Sequence, residues 1–309
     1  MNDTYVPRRH SRSVHLPIRG VNYHVRLWGD PGSCTAERPP LVMVHGWMDV
    51  AASWQFLVDA LRQERFIVAP DWRGFGHSRV PPGTDCYWFP DYLADLEALL
   101  GSTALPWPQL PHIDLLGHSM GGNVVMLYAG VRPSRIRRLI NLEGFGLPER
   151  PPEHAATQYA KWLDELATPP EMRDYDSLQA VAGRLMKTNP RLSTDKAQWL
   201  AAQWAQADAH GRWRILGDPA HKRVNPVLYR VSEVLATWRR ITAPVMSVVG
   251  EQTNLEAWWG QRYTLADYEE RLKAVPQVRR ESLADCGHML HHDQPRALAA
   301  LVEDFLEAA

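Results

Sequence analysis

Gly117-His118-Ser119-Met120-Gly121 matches the pattern Gly-x-Ser-x-Gly and is followed by Gly122. Chance alone produces the bare pattern in roughly one protein in ten of this length. Its context is more specific. It follows the apolar run His112–Leu116 (HIDLL) and opens a stretch with helical spacing. A strand-to-helix elbow of this kind pushes a serine hydroxyl out over a sheet edge. It also sets the serine at a helix N-terminus, where developing negative charge is favoured. Glycines two before and two after the serine allow a turn that a Cβ would block. A serine hydroxyl is a poor nucleophile until a base takes its proton. Among 13 histidines, His288 is the one placed for that task. It lies in Asp285-Cys286-Gly287-His288-Met289, between the last strand and the last helix, and parallel strands bring their C-terminal loops to one edge. His291 and His292 read as structural, and His118 is expected to face away from the serine.

A catalytic histidine needs a carboxylate to hold its tautomer and stabilise the imidazolium. Two positions qualify. Glu143 directly follows the run IRRLINL, and Glu251 directly follows PVMSVVG. The oxyanion of a tetrahedral intermediate needs backbone donors. One is expected from the N–H of Met120, the residue after the nucleophile. The other is expected from Trp47, in the His45-Gly46-Trp47 loop, where Gly46 lets the backbone approach and His45 bonds within the loop. This chemistry is acyl transfer and requires no cofactor and no metal.

The surrounding pattern supplies the frame. Ser13–Arg19 and Val21–Trp28 read as a hairpin, and Leu41–His45 and Phe66–Pro70 as buried strands. Helical spacing predicts helices over Ser53–Gln63, with Ser53 as N-cap, and over Pro90–Leu100 and Asn123–Val131. Ile136–Leu142 is again a strand. Alternation of strand and helix predicts a parallel sheet with helices on both faces. From Gly146 to about Ile241 no convincing buried strand occurs. The segment reads as helical and carries Trp162, Trp199, Trp204, Trp213 and Trp238. Then Pro244–Val249 restores a strand, with a helix near Gln261–Ala274, a strand near Gln277–Leu283 and a last helix from Pro295. The expected organisation is an α/β core over 1–145 and 242–309 with a helical cap over 146–241.

Bulk properties narrow the classes. The chain has 309 residues, 45% hydrophobic and 22% charged, with net charge −1, so charge supplies no case for nucleic acid or an anionic membrane. Cys34, Cys86 and Cys286 are odd in number, widely spaced and without metal-type spacing, which fits a reducing, cytoplasmic compartment. Met1–Arg12 is polar with no apolar core of a signal peptide, and no apolar run is long enough to span a membrane. Composition and charge leave the oligomeric state open.

Taken together, these motifs resemble the α/β-hydrolase superfamily. The resemblance runs through His45-Gly46-Trp47, then Asp71-Trp72-Arg73-Gly74-Phe75-Gly76-His77-Ser78, then Gly117–Gly122, and finally Gly287-His288 with Asp293 and Pro295. It looks closest to capped serine-hydrolase-like and esterase members. It implies an eight-stranded, mostly parallel sheet flanked by helices, with a helical cap after strand six. Haloalkane dehalogenases and epoxide hydrolases share the frame but use aspartate as nucleophile, where this chain has Ser119. Many members carry aspartate three residues after the glycine that ends strand seven; here that position is Thr253. Others place the acid after strand six, which favours Glu143 over Glu251.

The expected activity is hydrolysis of a small to medium apolar ester. C–C bond cleavage of a diketone, or lactone or amide hydrolysis, would use the same side chains. A non-catalytic ligand-binding or receptor-like homologue is the reading from another class. The insertion's tryptophans pack the cap or line an apolar pocket. The run Asp218-Pro219-Ala220-His221-Lys222-Arg223 is either a solvated turn or a receptor for a substrate carboxylate. Asp49 would tie down the loop after His45.

Overall fold

The computed structural model describes residues 4–107 and 110–308. Eight strands form one sheet: β1 (Arg12–Ile18), β2 (Val21–Trp28), β3 (Leu41–Val44), β4 (Ile67–Pro70), β5 (Ile113–His118) and β6 (Ile136–Leu142), then, after an insertion, β10 (Val245–Gly250) and β11 (Val278–Leu283). Their order is β1-β2-β4-β3-β5-β6-β10-β11. β2 pairs antiparallel with both β1 and β4, and every later pairing is parallel. The sheet is therefore mostly parallel, as the alternating pattern predicts.

The central strands β3, β4 and β5 are short and mostly apolar runs because both faces are covered. Val42 and Val44 of β3 join one core cluster, and Leu41 and Met43 join the other. Helices α2 (Phe89–Leu100) and α3 (Met120–Val131), with two later ones, α7 (Val231–Trp238) and α9 (Leu265–Leu272), bury apolar residues in the first cluster. Helices α1 (Gln55–Ala60), α10 (Leu290–Asp293) and α11 (Pro295–Glu307) cover the second. The helix over 256–259, α8 (Glu256–Trp259), has no buried residue and lies at the edge where β10 ends.

The expectation for Ser53 needs correction. A 3-10 turn over Ala51–Trp54 precedes α1, and Ser53 caps neither. Its hydroxyl donates to Asp49 Oδ1 instead. A serine inside a tight turn can find a closer partner for its hydroxyl than the N–H groups of the next helix.

Between β6 and β10 the chain forms α4 (Ala155–Ala167), α5 (Leu178–Thr188), α6 (Thr194–Trp204) and α7. It also forms a small antiparallel sheet, ordered β7-β9-β8, from β7 (Asp174–Tyr175), β8 (Ala205–Ala207) and β9 (Trp213–Ile215). The sequence pattern does not predict this sheet, because strands of two or three residues show no periodicity. Helices α5 and α6 share a separate apolar cluster with Phe56 of α1. Among the described residues, no helix is long and apolar enough to cross a membrane.

Candidate active site

The register of the central strands explains why distant residues meet. His118 of β5 pairs with Leu142 of β6, and Leu142 pairs with Val248 of β10. Ser119 and Glu143 therefore leave neighbouring strands side by side, and the Ser119 N–H donates to the Leu142 carbonyl at 2.8 Å. Gly250, which ends β10, pairs with Leu283, which ends β11. The loop after β11 returns His288 across two strands. The bonds that hold that loop include Gln252 N–H to the Cys286 carbonyl (2.9 Å), Gly287 N–H to Asp293 Oδ2 (2.9 Å) and His118 Nε2–H to the His288 carbonyl (2.8 Å).

The result is a continuous row. His288 Nε2 stands 3.0 Å from Ser119 Oγ, and His288 Nδ1 stands 2.7 Å from Glu143 Oε2. Ser119 has φ 53° and ψ −117°, a strained conformation for a non-glycine residue. Close contacts impose it. A Cβ at Gly117 would lie 2.4 Å from the Gly121 carbonyl oxygen, and one at Gly121 would lie 2.5 Å from that of Val44. Helix α3 begins immediately after Ser119, so Met120 sits in the first turn, where N–H groups have no intrahelical acceptor. On the other side of β5, Gly46 abuts the serine; a Cβ there would stand 3.1 Å from Ser119 Cβ. Trp47 follows it.

Glu143 is 1% exposed and fully engaged. It accepts from Gly250 N–H (2.7 Å) and from the Thr253 hydroxyl (2.8 and 2.9 Å) as well as facing His288. Thr253, at the position where the resemblance would lead one to look for aspartate, thus bonds the Glu143 carboxylate through its hydroxyl. Glu251 is exposed, and its N–H donates to Leu283.

The histidines around the row divide by burial. His45 donates through Nδ1 to the Gly46 carbonyl (2.7 Å) and accepts the Trp72 N–H at Nε2 (2.8 Å), joining the Trp47 loop to the turn after β4. Burial lowers its pKa, and that of His118 falls well below the ordinary value for the same reason. His291 and His292 are buried in α10, away from the serine hydroxyl's own hydrogen bond.

Aromatic residues border the row, but not those the sequence singles out. Trp258 of α8 meets the His288 ring edge-on, with centroids 4.7 Å apart, and Phe145 lies 6.5 Å from Trp258. Trp47 and Trp258 are 51% and 44% exposed, which is unusual for the largest apolar side chain. The insertion's tryptophans pack elsewhere. Trp238 is in the main core, Trp199, Trp204 and Trp213 join the α5–α6 cluster, and Trp162 faces Trp88. No motif surrounds Trp258, so its place could not be read from sequence.

The basic run after Asp218 is also an internal anchor. His221 is sandwiched between Phe75 and Tyr87, with centroids 3.7 and 3.6 Å away. Its Nε2–H donates to the Arg73 carbonyl (3.0 Å), and burial lowers its pKa to about 3. Lys222 donates to the Glu171 carbonyl, and Arg223 to those of Glu165 and Asp85. The His221 carbonyl accepts the Trp47 indole N–H at 3.3 Å, so the insertion touches the loop beside the serine.

Comparison with known proteins agrees with this architecture. Residues 39–295 match the family model described as the alpha/beta hydrolase fold. A "Serine hydrolase-like protein" of Danio rerio is 24% identical over 98% of this chain and 91% of its own length. A "Cis-3-alkyl-4-alkyloxetan-2-one decarboxylase" of Shewanella oneidensis is 27% identical over 86% of this chain and 81% of its own. Among solved structures, the "Thioesterase Domain From Curacin Biosynthetic Pathway" superposes with TM-score 0.78 at 26% identity, covering 95% of this chain and 99% of that one. A serine at the elbow, a mostly parallel eight-stranded sheet and a match over most of its length make this chain a serine hydrolase-like member of the α/β hydrolase fold family.

Proposed function

We propose that the protein is a carboxylesterase-like serine hydrolase acting on small to medium apolar esters through an acyl-enzyme. The observation that carries this reading is the unbroken row from Glu143 through His288 to Ser119, at 2.7 and 3.0 Å. Ser119 Oγ attacks the ester carbonyl while His288 Nε2 takes its proton. Glu143 holds the Nδ1–H tautomer and stabilises the imidazolium. The N–H groups of Met120 and Trp47 receive the oxyanion. His288 then protonates the leaving alcohol, takes a proton from water, and the hydroxide releases the acid and restores Ser119. No step uses a metal or an organic cofactor.

In this reading residues 146–241 act as a cap over a core built from 1–145 and 242–309. The His221–Trp47 bond supports a contact between the cap and the oxyanion loop. The exposed indoles of Trp47 and Trp258 offer an apolar wall for the acyl or alcohol group. A cytoplasmic location is the companion proposal, supported by the free thiols of Cys34, Cys86 and Cys286. Cleavage of lactones is the second reading. It is favoured by the relative named as an oxetan-2-one decarboxylase, an oxetan-2-one being a cyclic ester.

The test is a panel of p-nitrophenyl esters from acetyl to dodecanoyl, read beside labelling by a fluorophosphonate probe. Turnover and labelling should both disappear in Ser119→Ala, with short to medium chains preferred. Turnover that survives the substitution would overturn the mechanism. Absence of both labelling and turnover in the unaltered chain would favour a binding protein on the same fold.

A further inference from the structure

Behind the elbow, three side chains that the proposed acyl transfer does not use come together. Asp49 belongs to the loop after β3, His118 ends β5, and His291 lies in α10. One donor atom from each lies within 4.8 Å of the others. Their residues are 3, 2 and 0% exposed.

Asp49 and His118 are each held by one atom and leave the other bare. His118 donates Nε2–H to the His288 carbonyl, which fixes the tautomer and leaves a lone pair on Nδ1. Asp49 Oδ1 accepts from the Val50 N–H at 2.8 Å and from the Ser53 hydroxyl. Asp49 Oδ2, His118 Nδ1 and both ring nitrogens of His291 have no hydrogen-bond partner among the described residues. His291 Nε2 stands 3.7 Å from Asp49 Oδ2. Buried polar atoms without partners are few in native proteins, and each costs stability. Several at one place point to a bound group, an ion or water.

The donor set indicates which group. It is one carboxylate and two imidazoles, the ligands of intermediate softness that suit Zn2+ and its neighbours. A second-atom bond to a backbone carbonyl is the usual way a metal-binding histidine is oriented. A cation would also compensate the buried Asp49 carboxylate, which a water molecule would not. We infer that Asp49 Oδ2, His118 Nδ1 and His291 Nε2 form a binding site for a divalent transition-metal ion of the zinc type. Zn–N bonds of about 2.0–2.1 Å require the donors to close up by roughly an ångström. The ligands come from the oxyanion loop, the elbow strand and the helix that follows the base. A bound ion would therefore brace the three segments that the row depends on, from beneath. The site stands whether or not Ser119 is the nucleophile.

The test reads binding rather than turnover. The full chain is stripped with a chelator, dialysed against Co2+ or Zn2+, and assayed for bound metal, for the visible Co2+ spectrum and for Tm. The same measurements on His288→Ala remove the partly buried imidazole of the reaction centre as a competing ligand. One equivalent of metal in both proteins, with a Tm rise of several degrees on Zn2+ addition, is expected. Asp49→Asn and His118→Ala should each lose that equivalent and the rise. Should those variants fail to fold, the unaltered chain still decides. A folded chain that takes up no metal, or whose bound equivalent disappears in His288→Ala, overturns the site and leaves water as its occupant. Retention of the equivalent in a folded His118→Ala overturns it equally.

Discussion

Among the described residues, two serine–histidine–carboxylate rows have nearly the same dimensions. In one, Ser119, His288 and Glu143 are joined at 3.0 and 2.7 Å. In the other, Ser13, His24 and Asp71 are joined at 2.8 and 2.7 Å. Side-chain distances do not separate them; the backbone does. Ser119 stands at φ 53° where a strand turns into a helix, beside Gly46 and the free amides of a helix N-terminus. Ser13 lies within the regular β1 strand, paired opposite Arg26, and no helix begins there. Ser13 lacks donors aimed at a developing oxyanion, and such donors supply much of the acceleration in acyl transfer. Asp71 also has other duties. It accepts from the Ala51 N–H (2.7 Å) and the His77 N–H (2.9 Å), so it ties together the turns after β3 and β4.

Breaking each row should therefore cost different things. The largest effect is expected at Ser119, where replacement by Ala should lower kcat by about 10^6-fold, as loss of a triad nucleophile does. Glu143→Gln comes next. The amide can donate to His288 Nδ1 and so favour the tautomer with Nε2–H, which cannot take the serine proton. A loss of about 10^4-fold in kcat is expected, measured on the best p-nitrophenyl ester, together with a stability cost of about 1–3 kcal/mol because Glu143 is also a buried acceptor. A loss confined to Glu251→Gln would show that the acid has been misassigned.

The matching change in the second row, Asp71→Asn, should cost stability alone. Loss of one acceptor oxygen in a buried cluster is worth about 1–3 kcal/mol, read by chemical denaturation, while kcat of the folded protein stays within a few-fold. This cost depends on pH. Hydrogen bonds to His24 and the His77 amide, and the nearby histidine charges, outweigh burial and lower the Asp71 pKa from 3.8 to about 2. Its contribution is thus complete above about pH 4 and is lost as pH falls through 2. The advantage of the unaltered chain over Asp71→Asn should shrink across that window; an advantage that grows on acidification would contradict the assignment. Ser13→Ala is expected to be the smallest change, within about 0.5 kcal/mol in stability and with full ester turnover. A large loss of turnover there would make the second row catalytic after all.

Much of the core was legible because its signals are local. Each buried strand is a short apolar run between turn residues, and the elbow carries its glycines beside the serine. The strand ends that carry Ser119, Glu143 and His288 could be named because parallel strands share one edge. The small β7-β9-β8 sheet was not legible, since strands this short leave no pattern. The duties of His221, Lys222 and Arg223 were hidden too, because their partners lie as far away as Arg73 and Asp85.

By itself the sequence determined the alternation of strands and helices, the elbow at Ser119 and the short set of groups able to serve it. These follow from periodicity and from residue types at fixed offsets. Only the tertiary structure decided that Glu143, rather than Glu251, lies against His288, that Thr253 braces it, and that Trp258 covers the ring. It also decided that Asp49, His118 and His291 share one buried place. Those contacts are set by strand register and loop return across the sheet, where residues far apart in the chain meet and local pattern carries no information.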